Sequence, residues 1–246
     1  IKICNFMNRI TIRLKVKINS ELDLRNLSQI NFGQKIDQIS KIKLLYNNRE
    51  LSLGKLFNLK KQKINKKNNE LIIFNINKYC NYLGWRWKRD ILKINSDVGS
   101  FLGARMSGGE IYVNGSAMNY VGSEMINGKI TIKSNSLDLV GSPLPGNKLG
   151  MSGGAIIIKG SARDYLGLNM RKGIIYVRGS CRNYCCNNMV AGTVIVKKSI
   201  GKYFGLGMKR GTVFADKISL KSKIFVESNE LHETFFDLLY KFFLEN

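Results

Sequence analysis

The stretch DVGSFLGARMSGGEIYVNG (97–115) returns in altered form as SARDYLGLNMRKGIIYVRG (161–179), and the pair organises everything from Asp97 to Ala215. Methionines at 106, 125, 151, 170, 189 and 208 are spaced 19, 26, 19, 19 and 19 apart, the 26 being a 19 with seven residues added. Three residues after each Met stands a glycine: Gly109, Gly128, Gly154, Gly173, Gly192 and Gly211. Five and seven after each Met come apolar pairs: Ile111/Val113, Ile130/Ile132, Ile156/Ile158, Ile175/Val177, Val194/Val196 and Val213/Ala215. An aromatic residue or Leu precedes each motif at one recurring place: Phe101, Tyr120, Leu139, Tyr165, Tyr184 and Tyr203. A fixed period of this kind marks a repeat architecture.

Nineteen residues are too few for two helices and a loop, or for a propeller blade. They suffice for two short strands joined by turns, with glycines where the backbone takes angles closed to other residues. Stacking such turns pairs each strand with its copies about 4.8 Å above and below. The side chains five and seven after Met then form inward columns of Ile and Val, as a stack buried inside a coil requires. The Met column also points inward, where a flexible thioether fills irregular gaps. The sequence therefore predicts an all-β-dominated chain, a right-handed parallel β-helix of 19-residue turns. Asn81 to Ile94 reads as a degenerate first turn, with Trp87 in the place of Met, and Leu92 and Ile94 in the columns.

The flanks are of another kind. Residues 1–80 read as a small, mostly β N-terminal domain covering one end of the coil, whose open strand edge needs protection. Within it, Ile10 to Ile18 alternate with polar residues as a half-buried strand does, and a short helix is expected near Gln34 to Ser40. Lys41 to Tyr46 and Glu50 onward read as strands about an Asn47-Asn48 turn, KKQKINKKNN (60–69) as a mobile surface loop, and Leu71 to Ile76 as a strand. The β-helix is assigned to 81–226. Residues 227–246 read as an amphipathic helix, with Leu231, Phe235, Leu238, Leu239 and Phe242 on one face. That face has two readings, packing on the coil or binding a partner.

Composition bounds the function. The chain has 246 residues and a net charge of +23. No apolar run of about 18 residues suggests a membrane span, and no signal-peptide pattern opens the sequence. Five cysteines and one histidine form no disulfide framework, which suits a cytoplasmic protein. A strongly basic balance raises nucleic acid as a partner. However, Lys, Asn and Ile are abundant throughout, loops included, which looks like a global bias rather than a focused patch, so nucleic acid is not expected. One local feature remains. Eight after each Met stand Asn114, Lys133, Lys159, Arg178, Lys197 and Asp216, a stacked basic ladder that reads as a solvated face or as a surface for an acidic partner.

No active site emerges. Cys181, Cys185 and Cys186 occupy repeat columns filled elsewhere by small, apolar and glycine residues, so they are not expected to bind metal. Gly205, Gly207 and Gly211 lack the spacing and βαβ setting of a dinucleotide loop. His232, the single histidine, falls in the C-terminal helix pattern. No catalytic, cofactor or metal residue is assigned. Two features point to interaction instead. The seven extra residues fall in SPLPGNKLG (142–150), which holds both prolines, Pro143 and Pro145; this is a rigid partner-contacting loop or a tolerated insertion. The outward positions six after each Met are Tyr112, Thr131, Ile157, Tyr176, Ile195 and Phe214, an apolar stripe expected to be covered by another chain or by the terminal helix. The expected partner interface therefore comprises Tyr112, Pro143, Pro145, Ile157, Tyr176 and Phe214.

These repeats, with LYNNRELSLGKLF (45–57), GSPLPGNKLGMSGG (141–154) and NMVAGTVIV (188–196), resemble the C-type, β-helical subunit of the formylmethanofuran dehydrogenase family and its bacterial formyltransferase/hydrolase version. The C-terminal β-helix of glutamate synthase is similar in the repeat alone. The resemblance covers nearly the whole chain. It implies a non-catalytic structural subunit of a formyltransferase/hydrolase complex in tetrahydromethanopterin-linked one-carbon metabolism, where catalytic and formyltransferase subunits release a formyl group as formate through a methanofuran-like carrier. One alternative is the equivalent β-helical subunit of the redox formylmethanofuran dehydrogenase, which reduces carbon dioxide to formylmethanofuran, with a molybdenum or tungsten pterin and iron–sulfur clusters in other subunits. Another is a stand-alone β-helix interaction module. The sequence departs from the family where Met118, Leu137, Arg163 and Arg182 stand for a frequent glycine, and where Cys186 replaces another, which puts the local turn geometry in question.

Overall fold

The structure, a computed structural model, describes residues 7–219. The chain opens with β1 (Met7–Leu14), β2 (Leu22–Asp23), a 3-10 turn (Arg25–Gln29) and α1 (Ile36–Ser40). Then come β3 (Lys43–Tyr46), β4 (Arg49–Ser52), α2 (Leu53–Leu56), β5 (Phe57–Ile64), β6 (Glu70–Phe74) and β7 (Cys80–Asn81). Seven coil strands follow: β8 (Ile91–Asn95), β9 (Ser107–Val113), β10 (Asn127–Ile132), β11 (Ser152–Ile158), β12 (Lys172–Val177), β13 (Thr193–Ile200) and β14 (Thr212–Ile218).

The coil strands stack in parallel, each on its predecessor, in the register that the repeat demands. Ile111 pairs with Ile130, Ile130 with Ile156, Ile156 with Ile175, Ile175 with Val194, and Val194 with Val213. The fold is thus the parallel β-helix expected, and β8 makes its first turn a full rung. On another wall, single bridges link Val98, Ala117 and Ser136, and again Ala162, Cys181 and Ile200.

The N-terminal segment does more than cover the coil. Parallel pairing of β6 with β8, and of β1 with β6, carries the sheet onward to ten strands in the order β14-β13-β12-β11-β10-β9-β8-β6-β1-β5. Leu71 and Ile73 continue the inward columns below Leu92 and Ile94, and Ile10 and Ile12 continue them again. All six are fully buried. A small sheet of order β4-β3-β2-β7 lies apart, its β3–β4 hairpin turning through Asn47 and Asn48 at φ 48° and 59°, the double left-handed turn that matches strand twist.

The basic segment 60–69 departs from expectation. Its first half is not a loop but part of β5, antiparallel to β1, with Lys61 opposite Ile10 and Leu59 opposite Ile12. Lysines here hide the strand alternation, because an edge strand tolerates charge on both faces and their stems still cover apolar neighbours. The charged edge ends the ten-stranded sheet.

Packing explains the Met-to-glycine spacing. A Cβ added at Gly128 would lie 2.6 Å from the Met106 Cε methyl, and one at Gly173 would lie 2.7 Å from that of Met151. Each of Met106, Met125, Met151, Met170 and Met189 thus reaches into space left by the glycine one rung on. Trp87 does the same beneath Gly109. Of the glycines three before Met or Trp87, displaced at Gly141 by the insertion, Gly84, Gly103, Gly122 and Gly141 face an isoleucine of the next rung and Gly167 faces Val194. The recurring aromatics meanwhile take left-handed angles, from Tyr82 (φ 62°) to Tyr203 (φ 57°), and stack. Tyr82, Phe101 and Tyr120 form one ladder at 4.5 and 4.8 Å, and Tyr165, Tyr184 and Tyr203 form another at 4.7 and 4.8 Å. Leu139, at the insertion, separates them.

The C-terminal helix expected over 227–246, with His232, lies outside the described residues.

Candidate interaction surfaces

Inside the coil the cysteines are packing groups. The Cys185 and Cys186 Sγ atoms are 3.7 Å apart, and the Cys181 thiol donates to the Arg163 carbonyl at 3.4 Å. Cys181, Cys185 and Cys186 are all buried. The hydrogen bond with Cys185, and then burial, push the Cys181 thiol well above its usual range, so it stays protonated. Among the described residues, no group of three or more His, Cys, Asp or Glu side chains is placed to hold a metal ion.

The stripe exists as a row. Tyr112, Thr131, Ile157, Tyr176, Ile195 and Phe214 are paired rung to rung on the face opposite the columns. It is not the open surface expected at every position, because Ile157 is only 5% exposed and Thr131 7%. Large side chains on rungs about 4.8 Å apart shield one another. Tyr112 donates its hydroxyl to the Glu110 carboxylate, and burial with that bond pushes its pKa up to about 12. Beside this row, Lys133, Lys159, Arg178 and Lys197 are exposed, as the basic ladder requires.

The proline loop is better placed for contact. Ser142 and Gly150 are buried at its base, Pro143 and Leu144 are buried within it, and residues 145–149 are exposed. Pro143 is thus covered within this chain, where the loop folds back on the coil, and Pro145 is the proline that faces outward. The Asn147 amide donates to the Leu144 carbonyl at 3.0 Å across Pro145 and Gly146, the latter at φ 86°. That is the residue order and angle of a type II turn.

A single carboxylate holds this turn to the coil. Glu124 Oε1 accepts from the Leu144 amide at 3.0 Å and from the Asn147 side chain, while Arg105 Nε donates to Oε2 at 2.8 Å. Burial alone would raise the Glu124 pKa; these bonds outweigh it and hold the group below the usual carboxylate range. From the following rung, Asn169 donates its side-chain amide to the Lys148 carbonyl at 3.0 Å. The result is a braced projection, not a slack insertion.

Two exposed apolar residues flank it that the sequence pattern did not single out. Leu149 is 49% exposed, and Ile126, in the rung beneath Ser152, is 58% exposed. Ile126 was legible in part: the residue after Met is polar in four other rungs, as Ser107, Ser152, Arg171 and Lys209, and apolar in one, as Val190. Lys148, Arg171 and Lys172 stand exposed around them.

A glycine-punctuated β-helix with a braced corner loop defines the chain as a β-solenoid of the repeat type. The chain belongs to the GXGXG motif family, whose description matches residues 76–233, nearly two thirds of its length. It is also similar to a chain of the crystal structure of the formyltransferase/hydrolase complex (FhcABCD) from Methylorubrum extorquens in complex with methylofuran. The two share 29% identity and a TM-score of 0.83, over 96% of this chain and 88% of that one. Among curated proteins, none matches. Among the described residues, no helix is long and apolar enough to cross a membrane.

Proposed function

We propose that this chain is the β-helical component of a formyltransferase/hydrolase complex, bracing the subunits that carry the chemistry. The observation that carries this reading is likeness over nearly the full length to a chain of such a complex, N-terminal segment included. The role is structural and non-catalytic. The assembled complex, in the cytoplasm, passes a formyl group from a tetrahydropterin carrier through a methanofuran-like carrier and releases formate. The braced loop and the outward row are the surfaces offered to partners, with Pro145, Tyr112, Tyr176 and Phe214 among the residues on them.

The test is gentle affinity purification of the tagged full-length chain from its own cells, with mass spectrometry and assays for formyl transfer and formate release. Co-elution of formyltransferase and hydrolase subunits in fixed ratio, with both activities, is expected. Elution of the chain alone, or with molybdenum- and iron-containing partners, defeats the reading.

A further inference from the structure

We infer that the corner formed by Ile126 and the loop Pro143–Leu149 is the site where another subunit docks, and that the partner's matching surface is apolar at its centre and acidic at its rim. This rests on the proposed structural role in the complex. Three observations select the corner. First, Ile126 and Leu149 put two large apolar side chains in water on neighbouring rungs, a cost that a covering partner removes. Second, Glu124, Asn169 and the turn through Pro145 and Gly146 hold the loop in one shape. A projection fixed before binding loses little entropy on docking. Third, its rim is basic. Lys148, Arg171 and Lys172 are exposed, the loop carries no acidic residue, and the Glu124 carboxylate is already engaged by Arg105, Asn147 and Leu144.

Charge also decides between occupants. A second copy of this chain would bring a net +23 and the same basic rim against its twin, and like charges at an interface are repulsive. An acidic-rimmed subunit gains from the same arrangement. The middle of the outward row is the weaker candidate, because Ile157 is already shielded.

The repeat supplies a clean test. Removing residues 143–149 leaves Leu139, Val140, Gly141, Ser142, Gly150 and Met151 in consecutive order, which matches Phe101 to Met106 position for position. Such a variant restores the 19-residue spacing and keeps the coil. Three variants of the tagged full-length chain are compared with wild type by co-purification of the formyltransferase and hydrolase subunits: the 143–149 deletion, Ile126→Asp with Leu149→Asp, and Lys148→Glu with Arg171→Glu. Tyr79→Asp, at an exposed aromatic on the N-terminal segment, is the control. Circular dichroism and melting verify each fold. The expected result is a loss of captured partner of about tenfold or more in all three, with the control unchanged. The charge-reversal pair changes no packing, so it remains informative if the apolar pair misfolds. Folded variants that capture partners as well as wild type does overturn the docking site while leaving the structural role in the complex intact. A wild-type chain that captures none of these subunits removes both, as does a chain that captures only itself.

Discussion

At position 186 a cysteine takes φ 59°, where every other rung has a glycine. The reason lies across the coil. A Cβ at Gly103 or Gly122 would meet an isoleucine Cδ1 at 2.5 or 2.4 Å, but at Gly167, where the column has shortened to Val194, the nearest atom is 3.6 Å away. The same register sets Val213 opposite Cys186. The glycine is therefore required less by its backbone angle than by the isoleucine methyl it faces. Its loss at 186 keeps the turn that the sequence put in question. The tyrosines support this, since left-handed angles costing about 1 kcal/mol each are offset by ring stacking of a similar size. It follows that Gly122→Ala should cost about 2–3 kcal/mol and Gly167→Ala about 1 kcal/mol. Ile156→Val alone should cost about 1 kcal/mol. Combined with Gly122→Ala it should cost less than the sum, by about 1 kcal/mol, in urea unfolding. Strict additivity would show that the backbone angle dominates.

Among elements, β6 is the hinge of the design, joining N-terminal segment to coil, and Glu70 at its start is fully buried. Its carboxylate accepts from Arg9 Nε at 2.7 Å, Lys66 Nζ at 2.7 Å and Lys93 Nζ at 3.0 Å, one cation from each neighbouring strand and one from the preceding turn. Burial by itself would raise the Glu70 pKa; the bonds from Lys66, Lys93 and Arg9 overcome it and lower the pKa from 4.5 to about 2. A carboxylate depressed on folding stabilises the native state above its unfolded pKa and loses that contribution as pH falls through the folded value. Glu70→Gln should thus cost on the order of 2 kcal/mol at pH 7. The gap to wild type should begin to close below about pH 4.5 and vanish near pH 2. Denaturant titrations across that range check it; a gap constant down to pH 2.5 would assign the effect to shape rather than charge. Little of this cluster was legible beforehand, because Arg9, Lys66, Glu70 and Lys93 are brought together only by strand pairing. The columns were legible because Ile and Val recur at fixed places. A second ladder, of side-chain acceptors at the turns, was not legible in the same way. Asn119 accepts from the Asp138 amide, Asp138 from Asp164, Asp164 from Asn183 and Asn183 from Lys202, at 2.8 to 3.1 Å. Its members follow the repeat, insertion included, but the place is filled by Asn at 119 and 183 and by Asp at 138 and 164, so residue identity concealed a shared task as rung-to-rung acceptors.

For the whole molecule, the rungs make stability a sum over neighbours rather than the property of one core. This is why a seven-residue loop is accommodated after Ser142 and why the N-terminal segment can lengthen the same sheet. Period, then, is the quantity that the molecule cannot change. Deleting residues 161–179 joins Gly160 to Ser180 and stacks β13 directly on β11, setting Val194 against Ile156 and Val196 against Ile158. Deleting 161–178 removes one residue fewer. A one-residue slip turns the column side chains of a strand outward. The 19-residue deletion should yield a cooperatively unfolding protein whose denaturant m-value is lower by roughly a tenth, in proportion to the surface removed. The 18-residue deletion should yield an expanded or aggregated chain. Size-exclusion chromatography with urea unfolding separates the two. Equal behaviour of the variants would mean that turns absorb the slip, and that the inward columns, rather than the period, carry the fold.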